Sequence, residues 1–352
     1  MASGISVVVC CFNSVSRIEQ TLKHLMAQKG ILQTSWEVII VDNRSTDNTA
    51  EFSRSIWNSY DVEKPAFNVI FEPLQGLSMA REKGLEASQF NYVLFCDDDN
   101  WLEEDYLKNA LKIMETVPNI GALGGEGYPV FEKNEPPYFW INQYHALAVG
   151  PQAEKEGDIT DTRGVLYGAS MVINKNAYNT LVEKFKFKFL ISDRKGNSLL
   201  SSGDHELCFA LRIIGYKIYC SRQLKFRHFI PGSRTTIEYY KKLFLEFGKS
   251  YALLQSYHIN KNKILTFKND YRYICLRCLK NIIITNFKLA AKGYYFDSNK
   301  YKYLDYLHQL YNNIGIFKIL LKVKNAYRVQ LSIHPIFLLD KRKKASDFSN
   351  PH

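Results

Sequence analysis

Asn91-Tyr92-Val93-Leu94-Phe95-Cys96-Asp97-Asp98-Asp99-Asn100-Trp101 decides how the chain folds. The run over 91–96 is short, apolar and bounded by polar residues, the pattern of a strand buried on both faces. Three consecutive carboxylates then stand at its end. Such neighbours repel one another, which raises their pKa values and costs stability unless a cation neutralises them. A hard divalent ion, Mn2+ or Mg2+, held by carboxylate oxygens and a substrate diphosphate removes that cost. The alternative is a solvated acidic turn capping the next helix.

The same pattern recurs upstream. Residues 5–11, 36–41 and 67–71 are further short β-branched and aromatic runs. Helical spacings separate them: Ile18, Leu22, Leu25 and Met26, then a stretch opened by Asp47 and Thr49, then Leu77, Ala80 and Leu85. Strand–helix alternation predicts a parallel α/β sheet with right-handed crossovers. Ligands of such sheets bind beyond the carboxyl ends of the strands, where Asp42 and Asp97 both fall. Downstream, a helix is expected over about 103–116. Gly121, Gly124, Gly125 and Gly127 break the pattern, and Pro129, Pro136 and Pro137 open a long loop over 128–163, which is either disordered or part of an acceptor-binding site. A second ordered run covers 165–173, a helix runs from about Asp204 to Ile214 and ends at Gly215, and a strand follows at 216–219. From about Ile237 the text is helical and rich in Lys, Tyr, Leu and Phe.

Four other segments carry candidate chemistry. In Ser202-Gly203-Asp204-His205-Glu206-Leu207, Asp204 reads either as a helix cap or as a base separate from the metal ligands, with Glu206 orienting an acceptor. In Arg227-His228-Phe229-Ile230-Pro231, His228 is a structural histidine or completes a metal shell, since manganese accepts imidazole alongside carboxylates. Val41-Asp42-Asn43-Arg44-Ser45-Thr46-Asp47 sets polar groups where a base or ribose could be read. Gly76-Leu77-Ser78-Met79-Ala80-Arg81 adds a small-residue turn and a guanidinium suited to phosphate. Each also reads as an ordinary turn, cap or surface arginine.

Composition sets limits on class. With 46% hydrophobic and 23% charged residues the chain is a folded protein. Its net charge of +11 suggests a nucleic-acid partner until it is located. Residues 233–352 hold 22 Lys+Arg against 7 Asp+Glu, so the first two thirds is mildly acidic. No nucleic-acid partner is therefore expected. Seven cysteines form no disulfide framework, and Cys275-Leu276-Arg277-Cys278 stands alone without a second pair for zinc. With no basic leader and no apolar run of membrane-spanning length, the expected location is cytoplasmic, with any membrane contact peripheral.

Taken together and in order, these segments resemble the family 2 glycosyltransferases of the GT-A fold. The opening strand and its (Y/F)-N turn are matched by Val7 to Asn13, and "VDDGSTD" by Val41 to Asp47 with Asn43 in the second acidic place. "GLSxAR" is matched by Gly76 to Arg81, D-x-D by Asp97 to Asp99, and the "ED-x-E-L" helix start by Gly203 to Leu207. The likeness covers about residues 4–235. It implies a catalytic domain over 1–235, with a donor half to about 125 and an acceptor half beyond it. A basic helical region follows over 236–352.

By position, the resemblance places Phe12, Asn13, Asp42, Asn43 and Gly76 on the donor side, and Arg81 near its base or diphosphate. Asp97 and Asp98 would face ribose and metal, and Asp99 would bind the metal, with His228 as a further contact. Asp204 would be the base, and Trp101, Tyr167, Gly168, Ala169 and Glu206 would lie on the acceptor side. Two departures stand out: Gly203 replaces the usual Glu, and Cys10-Cys11 replaces Pro-Thr. The implied reaction is inverting transfer from a nucleotide-diphosphate sugar, UDP-linked in the first instance, to a glycan or lipid-linked acceptor in cell-surface polysaccharide synthesis. In the tail, Lys241 to Leu245 and Phe317 to Lys322 mix basic and apolar residues, which suggests helices on an anionic membrane or packed on the catalytic domain. A sugar-phosphate nucleotidylyltransferase would want a Gly-rich phosphate loop after the first strand, where Cys11-Phe12-Asn13-Ser14 stands instead. A non-enzymatic basic binding protein would leave residues 97–99 unexplained.

Overall fold

A computed structural model describes residues 2–32, 35–133, 138–140, 143–191, 193–194, 198–259, 271–293 and 300–322. The four runs read as strands are β1 (Ala2–Cys11), β2 (Trp36–Asp42), β3 (Ala66–Phe71) and β4 (Phe90–Asp97). The helices between them are α1 (Ile18–Met26), α2 (Thr49–Ser59) and α3 (Leu77–Ala87). Then come β5 (Asn100–Leu102), α4 (Tyr106–Thr116), β6 (Ile120–Phe131), β7 (Gly157–Asp158), β8 (Met171–Asn174), α5 (Lys175–Phe185), α6 (Gly203–Ile213) and β9 (Lys217–Ile230). Three long helices close the chain: α7 (Ile237–Ile259), α8 (Tyr271–Gly293) and α9 (Lys300–Lys322).

One mixed sheet runs β3-β2-β1-β4-β8-β6-β9-β5, with β7 pairing β9 off that path. β1, β2, β3 and β4 are mutually parallel, β8 is antiparallel to both β4 and β6, and β9 is parallel to β6. The carboxyl ends of β1–β4, β6 and β9 therefore share one rim, together with the start of β8. Alternate side chains serve opposite faces. Val8, Ile39, Val41, Val93 and Phe95 pack into one core, while Val7, Val9, Val38, Ile40, Leu94 and Cys96 pack into the other. Both faces of these strands are covered, as their uninterrupted apolar text requires.

Two readings need correction. β3 is not buried on both faces: it is the sheet edge, and Phe71 is exposed. The glycines of 121–127 do not break the pattern, and Pro129 does not open a loop. They lie in β6, a strand of 12 residues that runs through Pro129 to Phe131. The glycines allow crowding there. A Cβ at Gly125 would lie 2.2 Å from the Leu224 carbonyl oxygen, and one at Gly127 2.7 Å from that of Ala148. β9, expected over 216–219, is also longer than its apolar text and carries its pairing on to Ile230. Pro136 and Pro137 lie outside the described residues.

The tail packs on the front of the molecule. Tyr240, Leu243 and Phe244 of α7 join Trp140 and Ile230 in a third core, and Leu253, Leu254 and Tyr257 join the sheet core. Trp140 is fully buried there, 5.2 Å from Tyr240. Both tail segments singled out for membrane contact turn inward at Leu243, Phe244 and Leu320. All seven cysteines are free thiols, and Cys278 is buried among Ala252, Ile274 and Ile316. No helix among the described residues is long and apolar enough to cross a membrane.

Candidate active site

A cavity of about 390 Å³ opens at the rim where the strands end. Phe12, Asn43, Arg81, Asp97, Asp98, Asp99, Gly168, Ala169, Asp204 and His228 line it, drawn from segments more than 200 residues apart. Asn13, Asp42, Gly76, Trp101, Tyr167 and Glu206 do not.

The three carboxylates are not equivalent. Asp97 ends β4 and keeps its side chain partly exposed, 3.8 Å from the Arg81 guanidinium. Asp98 is buried, bonded by Ser14 Oγ and by Arg17 Nη2, the latter at 2.6 Å. Burial and the neighbouring Asp99 push the Asp98 carboxyl up, against the pull of Arg17. Asp99 meets His228 Nε2 at 3.4 Å, Arg234 Nη1 at 3.0 Å and Asn100 Nδ2 at 3.2 Å. Burial alone would raise its pKa, but His228 and Arg234 outweigh that and hold the carboxyl well below its usual range.

His228 reaches this group through sheet register. β5 pairs antiparallel with β9 so that Asn100 faces His228, and the Phe229 amide donates to the Asp99 carbonyl at 2.9 Å. His228 is buried and its Nδ1 has no partner among the described residues. Arg234, in the turn after β9, is a site residue that sequence reasoning missed.

The donor-side motifs lock into one another. Asn13 sits at φ +52° and its Oδ1 accepts from the Thr46 amide at 2.8 Å, while Asp42 Oδ1 accepts from the Ser45 amide at 2.9 Å. Asn43 spends its polar atoms on the turn before α3. Its Nδ2 donates to the Leu74 carbonyl at 2.7 Å and its Oδ1 accepts from the Gly76 amide at 2.8 Å. Position 76 suits only glycine, because its φ of +146° is one that residues with a side chain rarely adopt. Phe12 alone of this set offers a free surface, a 41% exposed ring at the cavity.

On the opposite side, Asp204 opens α6. Its Oδ2 accepts from the Gly168 amide at 2.5 Å and its Oδ1 from the His205 amide at 2.8 Å. Any side chain at 168 would strike Arg81 Nη2 at 2.6 Å. Glu206, expected to orient an acceptor, is fully buried instead. It accepts from the Leu190 and Ile191 amides at 2.9 and 3.1 Å and from the Tyr257 hydroxyl at 2.9 Å. Trp101 stacks between His24 and Phe229, and the Arg163 guanidinium lies over the ring of buried Tyr167. The second missed residue is Asp193, buried beside Arg81 at 3.7 Å. Its neighbours Ser192 to Lys195 resemble any polar loop, so no signal in the text marks it.

The family described as Glycosyl transferase family 2 matches residues 6–181, half of the chain. The chain belongs to this family. Its domain is similar to the putative teichuronic acid biosynthesis glycosyltransferase TuaG of Bacillus subtilis (strain 168), at 34% identity over 38% of this chain and 50% of that protein. It is also similar to the poly-beta-1,6-N-acetyl-D-glucosamine synthase of Staphylococcus aureus (strain COL), at 30% identity over 35% of this chain and 28% of that protein. The chain thus spans half or less of the length of these curated relatives. Among solved structures, the mannosyltransferase PcManGT of Pyrobaculum calidifontis, described in complex with GDP-Man and Mn2+, aligns with a TM-score of 0.54 and 16% identity. That alignment spans 97% of this chain and 87% of the other. The family's GT-A fold, a mixed α/β sheet flanked by helices, accounts for the architecture, and a helical C-terminal region is added to it.

Proposed function

We propose that this chain is an inverting, metal-dependent glycosyltransferase. It moves a sugar from a nucleotide-diphosphate donor, UDP-linked in the first instance, to a hydroxyl of a glycan or lipid-linked acceptor. The observation that carries the reading is the placement of Asp204, fixed by the Gly168 amide, in the same cavity as the Asp97–Asp99–His228 group. Family membership supports transfer chemistry. The relatives named for teichuronic acid and poly-N-acetylglucosamine synthesis support a place in cell-surface polysaccharide assembly.

Among the described residues no three His, Cys, Asp or Glu side chains stand as a ready metal cage. The donor set nonetheless suits a divalent ion completed by diphosphate oxygens. Asp99 is held ionised, His228 presents Nε2 to the same point, and Asp97 is partly open to the cavity. Bound there with the donor, the ion would supply charge stabilisation for the departing diphosphate. Asp204 accepts the proton of the acceptor hydroxyl, whose oxygen forms the new bond to the anomeric carbon. The bond from that carbon to the diphosphate oxygen breaks, and its electron pair leaves with the nucleotide. Arg81 and Arg234 add positive charge along that path, and Phe12 offers a face for the base.

The tail supports a peripheral contact with an anionic membrane, on a different face from the one its text suggested. Helix α8 turns Ile274, Cys278 and Thr285 inward, yet Leu276, Leu279, Ile283 and Phe287 form an outward stripe, with Phe287 72% exposed. Arg277, Lys280 and Lys288 flank that stripe, in a region whose net charge is +15. An apolar stripe bordered by cations suits the headgroup boundary of an anionic bilayer. On this reading the protein works at the cytoplasmic face of the membrane.

Release of nucleotide diphosphate from a panel of UDP- and GDP-sugars, with and without manganese, tests the catalytic reading. No release from any donor, together with no manganese uptake in the presence of nucleotide, would overturn it. Co-sedimentation with phosphatidylglycerol vesicles at low salt tests the membrane contact. Binding should drop in Ile283→Asp/Phe287→Asp, and unchanged binding by that variant refutes the α8 face.

A further inference from the structure

Asp193 stands 3% exposed on the cavity wall, in the stretch between α5 and α6. Its surroundings hold it there on purpose-built contacts from two sides. The Leu77 amide donates to its carbonyl at 3.1 Å, and Ser78 Oγ donates to the Ile191 carbonyl at 3.1 Å. From the other side Glu206 accepts the amides of Leu190 and Ile191. The backbone at Asp193 is left-handed, φ +44°, a conformation that costs energy for a residue with a side chain. The carboxylate that results faces Arg81 with one oxygen, while its Oδ1 has no partner among the described residues. A buried acceptor without a donor destabilises the fold, and on a cavity wall a ligand hydroxyl can supply that donor.

The position of that carboxylate is informative. A Cβ at Gly203 would lie 2.9 Å from Asp193 Oδ2, so the carboxylate fills the space a side chain at 203 would take. Gly203 has no left-handed φ, and the next nearest side-chain atom would be Ser78 Oγ at 3.4 Å. The side chain that crowds the position immediately before Asp204 is therefore that of Asp193, with no left-handed backbone demanding glycine there.

We propose that Asp193 supplies, from the loop ahead of α6, the acidic side chain that Gly203 lacks, and that its free oxygen receives a sugar hydroxyl beside the one reacting at Asp204. Asp193 is on this view a specificity-determining residue of the transfer site, an inference that rests on the glycosyltransferase reading above. Burial pushes its carboxyl up to about 7 against the pull of Arg81, so near neutrality it can accept a hydrogen bond or donate one. The hydroxyl could belong to donor or acceptor, and the test separates them.

The experiment compares wild type, Asp193→Ala, Gly203→Asp and the double variant Asp193→Ala/Gly203→Asp. Each is assayed for donor-only hydrolysis, for transfer and for thermal unfolding. Asp193→Ala should lower kcat/KM by about 10–100-fold, the worth of a hydrogen bond to a charged group, without lowering the unfolding temperature. Gly203→Asp alone should also be impaired, because two carboxylates then compete for one space. The double variant should regain most of the activity, since the carboxylate returns from the other backbone position. A loss confined to transfer assigns the hydroxyl to the acceptor, and an equal loss in hydrolysis assigns it to the donor sugar. Full activity in Asp193→Ala, or a loss that tracks unfolding and is not recovered in the double variant, overturns the proposal. Absence of hydrolysis in wild type would instead count against the glycosyltransferase reading itself.

Discussion

Gly168 donates its amide to Oδ2 of Asp204 at 2.5 Å, and the His205 amide holds Oδ1 at 2.8 Å. The two donors fix the carboxylate plane and leave each oxygen of this cavity-lining residue one further lone pair. Gly168 can approach this closely because it has no side chain to strike Arg81. The segment ahead of β8 and the start of α6 thus orient a single carboxylate between them, which is what a base serving a bound hydroxyl needs.

Asp204→Asn keeps the shape but turns an amide NH2 toward one of those backbone donors. It also removes the proton acceptor. Transfer should fall by about 10²–10⁴-fold, while nucleotide affinity stays within a few-fold of wild type. Single-turnover transfer and calorimetric nucleotide binding, measured on the same preparation, check both halves. Unchanged transfer would remove Asp204 from the role of base.

Asn43 bears on stability more than on ligand contact. Its Nδ2 donates to the Leu74 and Glu72 carbonyls and its Oδ1 accepts from Gly76. In Asn43→Asp a carboxylate oxygen faces those two carbonyls with no hydrogen to offer. The unfolding free energy should drop by about 1–3 kcal/mol. Because the turn launches α3 and Arg81, donor binding should weaken as well. Denaturant unfolding and nucleotide titration report the two effects. Loss of binding without loss of stability would instead make Asn43 a direct ligand contact.

The donor half of this site was legible because its residues sit at strand ends, and strand ends can be read from apolar runs. Asp42 and Asp97 each follow such a run directly, and Asn43 and Asp99 stand within two residues of them. Asp204 was legible as a helix start. What the text could not reveal depends on pairing between distant segments. The antiparallel register of β5 with β9 brings His228 against Asp99, and the turn beyond brings Arg234. The glycines of β6 looked like a break in the pattern because crowding by the Leu224 and Ala148 carbonyls excludes side chains at Gly125 and Gly127, an exclusion invisible along the chain. Glu206 looked like a site residue because it shares a helix turn with Asp204, but helical geometry turns it away from the cavity into the Tyr257 hydroxyl.

Glu206 gives the fold a pH dependence of defined sign. Burial raises its pKa from 4.5 to about 7, outweighing the three donors that favour its ionised form. A carboxyl with a folded pKa above its unfolded value binds more protons in the native state, so stability falls as pH rises between those values. Wild type should therefore lose stability between about pH 4.5 and 7. Glu206→Gln, which cannot ionise, should show a smaller decline over the same window. Unfolding of both proteins in urea at pH 5 and at pH 8 measures the difference, and parallel pH profiles would count against the assignment.

Two glycines decide how the tail packs. A Cβ at Gly248 of α7 would lie 2.1 Å from the Asn312 carbonyl oxygen, and one at Gly315 of α9 would lie 1.9 Å from that of Leu245. The obstructing atoms are backbone, so neither helix can yield without moving as a whole. Alanine in an open helix would be worth about 1 kcal/mol of stability over glycine. Here it must separate α7 from α9, and overpacking of this kind costs about 1–3 kcal/mol. Helix propensity and packing oppose each other, and the rigid contact should win, so Gly248→Ala lowers stability. Gly315→Ala acts on the same crossing. Once either substitution has parted the helices, the other has little left to disturb, so the double variant should fall well short of the sum. Helix α7 also carries Tyr239 at the cavity and Tyr257 against Glu206, so the loosened variant should show weaker transfer. Chemical denaturation of the two singles and the double, with transfer assayed alongside, closes the cycle. Additive losses would mean that the crossing is not the shared element.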